Sequence, residues 1–504
     1  MKDGVSKNTS ENISIKSPSV KKNFLLSTAY QVLCIITPFV TAPYLARVLG
    51  AEKIGVNSYI GSIIAYFTMF GALGTISYGA REIARVRDDV YARSKTFWEI
   101  ELLSVCTSGI AIIAWAVFVY LSTQYKVYYF VLTLNILGAM FDISWFYSGM
   151  EQFKYTVTKN TVIKIIGIVL VFIFVKTKEH LFNFVLINSA CGLFGNVSMW
   201  LTLKPFLVKV NRKDLHVFKH FKGTFVFFVP VIATSIYTVL DKTLIGVITH
   251  DKTQNGFYEQ AHKIIQMVKT FTFGPLNSVL ESRSSYLFVH EKFDEIKAHI
   301  NKSLDFIMLV CIGSVFGILG VADHLVPIFF GEGYEASIPL LKMFSPVLLI
   351  TGITVTLGSQ YYTPSGKRFE SAIYIIIGAV VNLICNVLLI PRFQSMGAVI
   401  GTIISEFVIT VLFMIFCKGY VTLGQIFKVS WKRVIAGLIM FAYLLIMDRF
   451  VEGDLLCLII QVVGGSLIYG ILLLLMRDQF LTGYLIPTLK NKFFRKKKAT
   501  VEGE

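Results

Sequence analysis

Charge is scarce in this chain. Of 504 residues only 16% are Asp, Glu, Lys or Arg, while 55% are hydrophobic. An ordinary soluble domain carries more charge and less apolar surface, so the composition excludes that class. Nucleotide-binding glycine strings of the GxGxxG or P-loop kind are missing, which removes the usual signature of ATP-driven chemistry. None of the seven cysteines stands in a CxxC pair; all lie in apolar segments and are expected to be small packing residues. No histidine falls in a metal-ligand spacing, so neither a metal nor a cofactor is expected from the pattern. The first twenty-odd residues are polar and the first apolar run has no small-residue cleavage site, so no signal peptide is expected.

What the chain has in abundance is long apolar runs. Stretches of about 18 or more mostly apolar residues recur along nearly the whole length, each able to cross a hydrocarbon core of about 30 Å as a helix. Helices satisfy their own backbone hydrogen bonds in lipid, so the expected fold is all-α, a polytopic membrane bundle. Reading apolar runs against polar breaks gives about fourteen spans, the first core near residues 24 to 46 and the last near 455 to 476.

The net charge of +17 has a topological explanation. Its basic residues are dispersed in short connectors rather than gathered on one face, so nucleic acid is not an expected partner. One alternate set of connectors, with both tails, holds most of the lysines and arginines. It includes Arg81 to Lys95, Lys204 to Lys222 and Lys490 to Lys498. The positive-inside rule assigns this set, and hence both termini, to the cytoplasm of a plasma or inner membrane.

An internal repeat is visible at an offset of about two hundred residues, the kind of symmetry from which many transporters are built. Phe67 to Arg81 resembles Phe271 to Arg283, Trp145 to Val169 matches Gln360 to Val381 in position, and Ala46 to Gly55 corresponds to Asp241 to Gly256. Their common order implies a cytoplasmic tail (1–23), an N-lobe (24–203), a basic linker (204–223), a C-lobe (224–417), two appended helices (418–476) and a basic tail (477–504).

Charges within spans are costly and usually face a bundle interior, a wet cavity or each other. In VLDKTLIG, Asp241 and Lys242 are neighbours about 100° apart on a helix, so they are poor direct partners. The following span carries Glu259, Lys263, Gln266 and Thr270 at helical period, with His262 and Lys269 beside them, and a lipid-facing helix would not. This stripe reads either as interhelical bonding with a Glu259 to Lys263 pair, or as a hydrated cavity wall. The first span has Tyr30, Thr37, Thr41 and Tyr44 ending near Arg47, with Pro38 and Pro43 expected to kink it. Arg47 would face the Asp241/Lys242 pair across one cavity or snorkel to headgroups. Asp142 and Glu406 are single carboxylates in apolar company, candidates for ion sites or interhelical acceptors.

The strings TAPYLARVLGAEKIG, ALGTISYGAREIARVR, FDISWFYSGMEQFK, VLDKTLIG, FGEGYEASIPLLK and GAVIGTIISE resemble those of bacterial polysaccharide exporters of the MOP superfamily, the Wzx-type flippases. The resemblance runs from about residue 20 to 417 and implies a V-shaped, MATE-like fold of two pseudosymmetric six-helix lobes with two appended helices. It implies a transporter, not an enzyme, that moves an undecaprenyl-pyrophosphate-linked oligosaccharide to the outer leaflet for capsule, O-antigen or exopolysaccharide assembly. Arg47, Lys242, Lys263 and Lys269 would inherit the role of attracting the anionic headgroup, with Gln266 beside them. Coupling to H⁺ or Na⁺ through Asp142, Asp241 or Glu259 is a further expectation, as are membrane lipids and a polysaccharide polymerase as partners. A lipid II-type flippase, a MATE-type multidrug or cation antiporter and a membrane polymerase or glycosyltransferase are the competing readings.

Overall fold

The computed structural model describes residues 20–487, and among them every regular element is helical. The expected basic tail beyond residue 487 lies outside the described residues. Ten helices are long and apolar enough to cross a membrane, or eleven if the bent pair Ser337–Phe344 and Val347–Tyr362 is one span. The protein is a multi-pass membrane protein, and large apolar side chains such as Ile110, Phe130 and Leu388 stand exposed on its outside, as lipid contact requires.

The first half comprises α1 (Val20–Ala72), α2 (Thr75–Val86), α3 (Val90–Leu121), α4 (Lys126–Met140), α5 (Ser144–Gly149), α6 (Phe153–Phe174) and α7 (Leu181–Trp200). The second comprises α8 (Phe221–Ile248), α9 (Lys252–Val289), α10 (Phe293–Phe330), α11 (Ser337–Phe344), α12 (Val347–Leu357), α13 (Arg368–Phe393) and α14 (Ser395–Phe416). Two further helices follow, α15 (Leu423–Phe450) and α16 (Asp454–Leu475).

α1 has two helical arms that meet at Gly50, where φ is 74° and ψ 168°, and they correspond to the first two expected spans. Pro38 and Pro43, the expected kink sites, sit inside the helix, and the non-helical backbone falls at Gly50, which tolerates positive φ. The apolar run expected to span near 127 to 149 divides into α4 and α5 around Asp142. The run expected near 338 to 360 bends by 41° at the junction before Val347, where Pro346 cannot supply a backbone donor. α2 lies outside the apolar part of its expected span: after Gly74, at φ 74°, its sequence TISYGAREIARV turns amphipathic and exposes Arg81 and Arg85.

Buried apolar residues divide by half. Two clusters draw on residues between Leu45 and Phe206. A third runs from Ile245 to Val421 and includes Ala42 and Ala46 of α1. Val321 of α10 packs with Met440 and Leu444, which fastens α15 to the second half.

The chain between the halves is held down along its length. Arg93, buried near the start of α3, donates from Nε and Nη2 to the Phe206 carbonyl, and the Val208 N–H donates to Ser94 Oγ at 2.9 Å. Glu99 accepts the His216 N–H at 2.8 Å and contacts His220 Nε2 at 2.9 Å, while His220 Nδ1 meets the Tyr78 hydroxyl at 2.8 Å.

Candidate functional site

Asp241 and Lys242 point to different neighbours, as their 100° separation on α8 requires. Asp241 is 2% exposed and turns into the second half. Its carboxylate accepts from the Tyr258 hydroxyl of α9, from Asn386 Nδ2 of α13 at 2.6 Å and from Thr402 Oγ1 of α14 at 2.6 Å. Asn386 also donates to Asn382 Oδ1 at 3.0 Å, one turn earlier. One buried carboxylate therefore joins four helices, a charge-assisted arrangement of the strong kind. Gly401 makes room for it, because a Cβ there would lie 2.6 Å from Asn386 Oδ1.

Lys242 faces the seam between the halves. Its Nζ lies 2.7 Å from Glu259 Oε2, and the same oxygen accepts from Ser58 Oγ of α1 at 2.9 Å. One residue along α8, Thr243 donates to Ser62 Oγ at 2.8 Å and meets the Tyr66 hydroxyl at 3.3 Å. Ser58, Ser62 and Tyr66 follow at i, i+4 and i+8, so they form one polar edge on the second arm of α1.

Near the break in α1 the seam closes on glycine. A Cβ at Gly55 would lie 1.6 Å from the Lys252 carbonyl oxygen, and one at Gly256 would lie 2.0 Å from the Ala51 carbonyl oxygen. The contact is reciprocal. Gly55 and Gly256, like Ala51 and Lys252, stand at the same 201-residue separation as Ser58 and Glu259. This separation matches the offset of about two hundred residues expected for the internal repeat. Lys252 Nζ caps the contact from 3.8 Å above the Tyr59 ring.

The polar row on α9 does not act as a single unit. Glu259 takes Lys242 as its ion-pair partner, so the Lys263 pairing expected from the i, i+4 spacing is replaced by one between helices. Among the described residues Lys263 makes no hydrogen bond or ion pair. Gln266 bonds to His262 at 3.0 Å. Lys269 shares a narrow cavity with Gln266, His262, Asp241, Thr402 and Glu406, and Glu406 is 3% exposed.

Asp142 lies elsewhere, in the first half. Its Oδ1 accepts the Ser144 N–H at 2.9 Å, just before α5. It also lines a cavity of about 600 Å³ with Asn135, Asn196, Thr68 and, from α8, Ser235. Asn196 is held by Lys159 Nζ at 2.9 Å. Arg47 is placed with α10: its Nη2 donates to the Ile328 carbonyl, and Tyr334 beside it donates to the Ala46 carbonyl at 3.1 Å.

Several groups were not singled out from the sequence. Glu101 is 2% exposed and neither of its carboxylate oxygens has a hydrogen-bond partner. The signal was FWEIELL, two carboxylates entering an apolar run. Asn382, Asn386 and Thr402 carry no formal charge and are far from Asp241 in the chain, so no local pattern marks them as its partners.

The bundle, its repeat and its polar seam define a transporter-type membrane fold. The chain belongs to the polysaccharide biosynthesis protein family, whose profile matches residues 20–280. A second profile, lipid II flippase MurJ, matches residues 257–464. A Shigella dysenteriae protein named "Putative O-antigen transporter" is 24% identical over 402 residues, which cover 79% of this chain and 99% of that protein. The capsular polysaccharide biosynthesis protein CapF of Staphylococcus aureus is 22% identical over 413 residues, 79% of this chain and 99% of its own. Among solved structures, lipid II flippase MurJ in an inward closed conformation superposes with a TM-score of 0.70 at 15% identity, covering 91% of this chain and 99% of that one. The fold is therefore shared with MurJ.

Proposed function

We propose that the protein is a flippase that carries a lipid-linked oligosaccharide, its sugars joined to a polyprenyl pyrophosphate, from the cytoplasmic to the outer leaflet of the bacterial plasma or inner membrane. The observation that carries the reading is the charged and hydroxylated seam between the halves, with Lys242, Glu259 and Ser58 at its centre. A polyprenyl tail can remain in lipid, but a pyrophosphate and sugars cannot cross hydrocarbon bare and need a polar path. Lys263, on the same α9 row and without an ion-pair partner among the described residues, is the cation we assign to the anionic headgroup, with Lys242 released to it when Glu259 is displaced. Family membership and relatives named for O-antigen transport and capsule synthesis support glycan export and a non-enzymatic role. With a negative interior, outward movement of each negative charge is favoured by about 2.3 kcal/mol per 100 mV, so membrane potential is a sufficient contributor to drive.

For ion coupling we assign Asp241. Beside its carboxylate stand Thr402 Oγ1 and Asn382 Oδ1, and Asn386 Oδ1 is buried without a hydrogen-bond partner, so oxygen donors surround a position suited to Na⁺ or H⁺. The MurJ profile match over residues 257–464 favours a second reading, in which the cargo is a lipid II-type peptidoglycan precursor.

The deciding experiment is on a strain lacking the protein, measuring lipid-linked repeat units and their accessibility to an impermeant reagent at the cell surface. Complete units confined to the inner leaflet, restored by wild type and not by Lys263→Ala, are expected. Incomplete units would move the protein to an enzymatic step such as polymerisation or glycosyl transfer. Accumulation of peptidoglycan precursor instead would establish the second reading.

A further inference from the structure

His324 on α10 reaches both arms of the α15–α16 hairpin at the end of the bundle where α1 breaks. Its Nε2 lies 2.7 Å from Asp448 Oδ1, near the end of α15, and its Nδ1 lies 2.9 Å from Asp454 Oδ1, at the start of α16. Cys457, one turn into α16, is fully buried, and its Sγ makes only a long 3.8 Å contact with the Met447 carbonyl. The Cys457 Sγ, a His324 ring nitrogen and an Asp448 oxygen all lie within 4.8 Å of one another. No short-range spacing announces this group, because three separate helices contribute it.

We propose that His324, Asp448 and Cys457 form a binding site for a divalent transition-metal ion of the zinc class, with Asp454 orienting the imidazole. A nitrogen, an oxygen and a sulfur donor together suit zinc and cobalt and do not suit calcium or magnesium, which take oxygen ligands. Around tetrahedral zinc, donors at about 2.0–2.3 Å from the metal stand roughly 3.5 Å from one another, so the three side chains need only small rotamer adjustments to close on an ion. Asp454 completes the arrangement familiar at zinc sites, in which the ring nitrogen not facing the metal donates to a carboxylate that fixes the tautomer. The Asp448 side chain is 47% exposed and that of Asp454 63%, which leaves an entry path, while the buried Cys457 forms the floor. Binding displaces the thiol proton, and any second proton on the imidazole, to water, so affinity falls as pH falls. The ion would tie the appended helices to α10, and the proposal does not depend on the transported cargo.

The test uses the full-length protein in detergent, titrated with Co²⁺ and then with Zn²⁺ as competitor. One equivalent of Co²⁺ is expected to produce a thiolate-to-cobalt charge-transfer band that Zn²⁺ removes. Cys457→Ser, which preserves size and is compared as a species of the same elution volume, is expected to abolish the band. Asp454→Asn is expected to weaken binding by about 10–100-fold while keeping it. Stoichiometric binding without the band, a band unchanged in Cys457→Ser, or no binding above that of Cys457→Ser would each overturn the proposal. The last result would leave His324 as a hydrogen-bonded link between the two carboxylates.

Discussion

Three donors converge on Asp241, and they set the cost of removing it. Asp241→Ala leaves the Tyr258 hydroxyl and one Asn386 N–H without their acceptor in a buried place, while Thr402 keeps the Ala398 carbonyl, and each unmet group costs about 1–3 kcal/mol. The variant is expected to melt at a markedly lower temperature in detergent, whereas Asp241→Asn, which keeps an acceptor oxygen, recovers part of the loss. Equal melting of Asp241→Ala and wild type would show that the carboxylate does not hold the second half together. The sequence made Asp241 and Lys242 conspicuous and their divergence predictable from the helical angle. It did not say which of the two turned inward, because the answer lies in Asn386 and Thr402, 145 and 161 residues away. The ion-pair partner of Glu259 was not legible for the same reason: local spacing offers Lys263, while packing of α8 on α9 supplies Lys242 at 2.7 Å.

The arms of α1 and the helices α8 and α9 are legible as apolar runs, and the break at Gly50 falls in the polar connector after the first of them, while Pro38 and Pro43, the expected kink sites, stay inside the helix. Proline removes one backbone bond and a long helix absorbs it, whereas Gly50 adopts a positive φ that ends the helical path. The glycine contact just beyond the break carries a sharp expectation. A side chain at Gly55 has no room, since its Cβ would fall inside the Lys252 backbone, so Gly55→Val must push α9 away from α1. A cysteine introduced at Ser58 should then react faster with a thiol reagent in the Gly55→Val background than with Gly55 intact. Unchanged reactivity would mean that the seam does not rely on this contact.

At the scale of the whole molecule, Gly55 with Gly256 and Ser58 with Glu259 touch at a separation of 201 residues, which matches the offset expected for the internal repeat. The course of the linker was not legible. Its basic residues announced a cytoplasmic connector but not that Glu99, Arg93 and Tyr78 would fasten it to the first half. Glu99→Ala removes the acceptor for His216 and His220 and should raise the rate at which trypsin cuts after Lys209, Arg212 or Lys213, read by mass spectrometry of the full chain. A cleavage rate equal to that of wild type would show that the Glu99 bonds do not keep the segment down.

The two kinds of polar bonding beside α8 have different mechanical consequences. Around Asp241 a charge is shared among helices of one half, and parting them would strand it in a dry interior. Across the seam, Thr243 meets Ser62 and Tyr66 through hydroxyl groups, which can exchange a protein partner for a water molecule and leave nothing bare. The first is a weld and the second a lubricated joint, so a force applied to this molecule would slide the halves along the Ser58–Tyr66 edge long before it bent the half that Asp241 binds together.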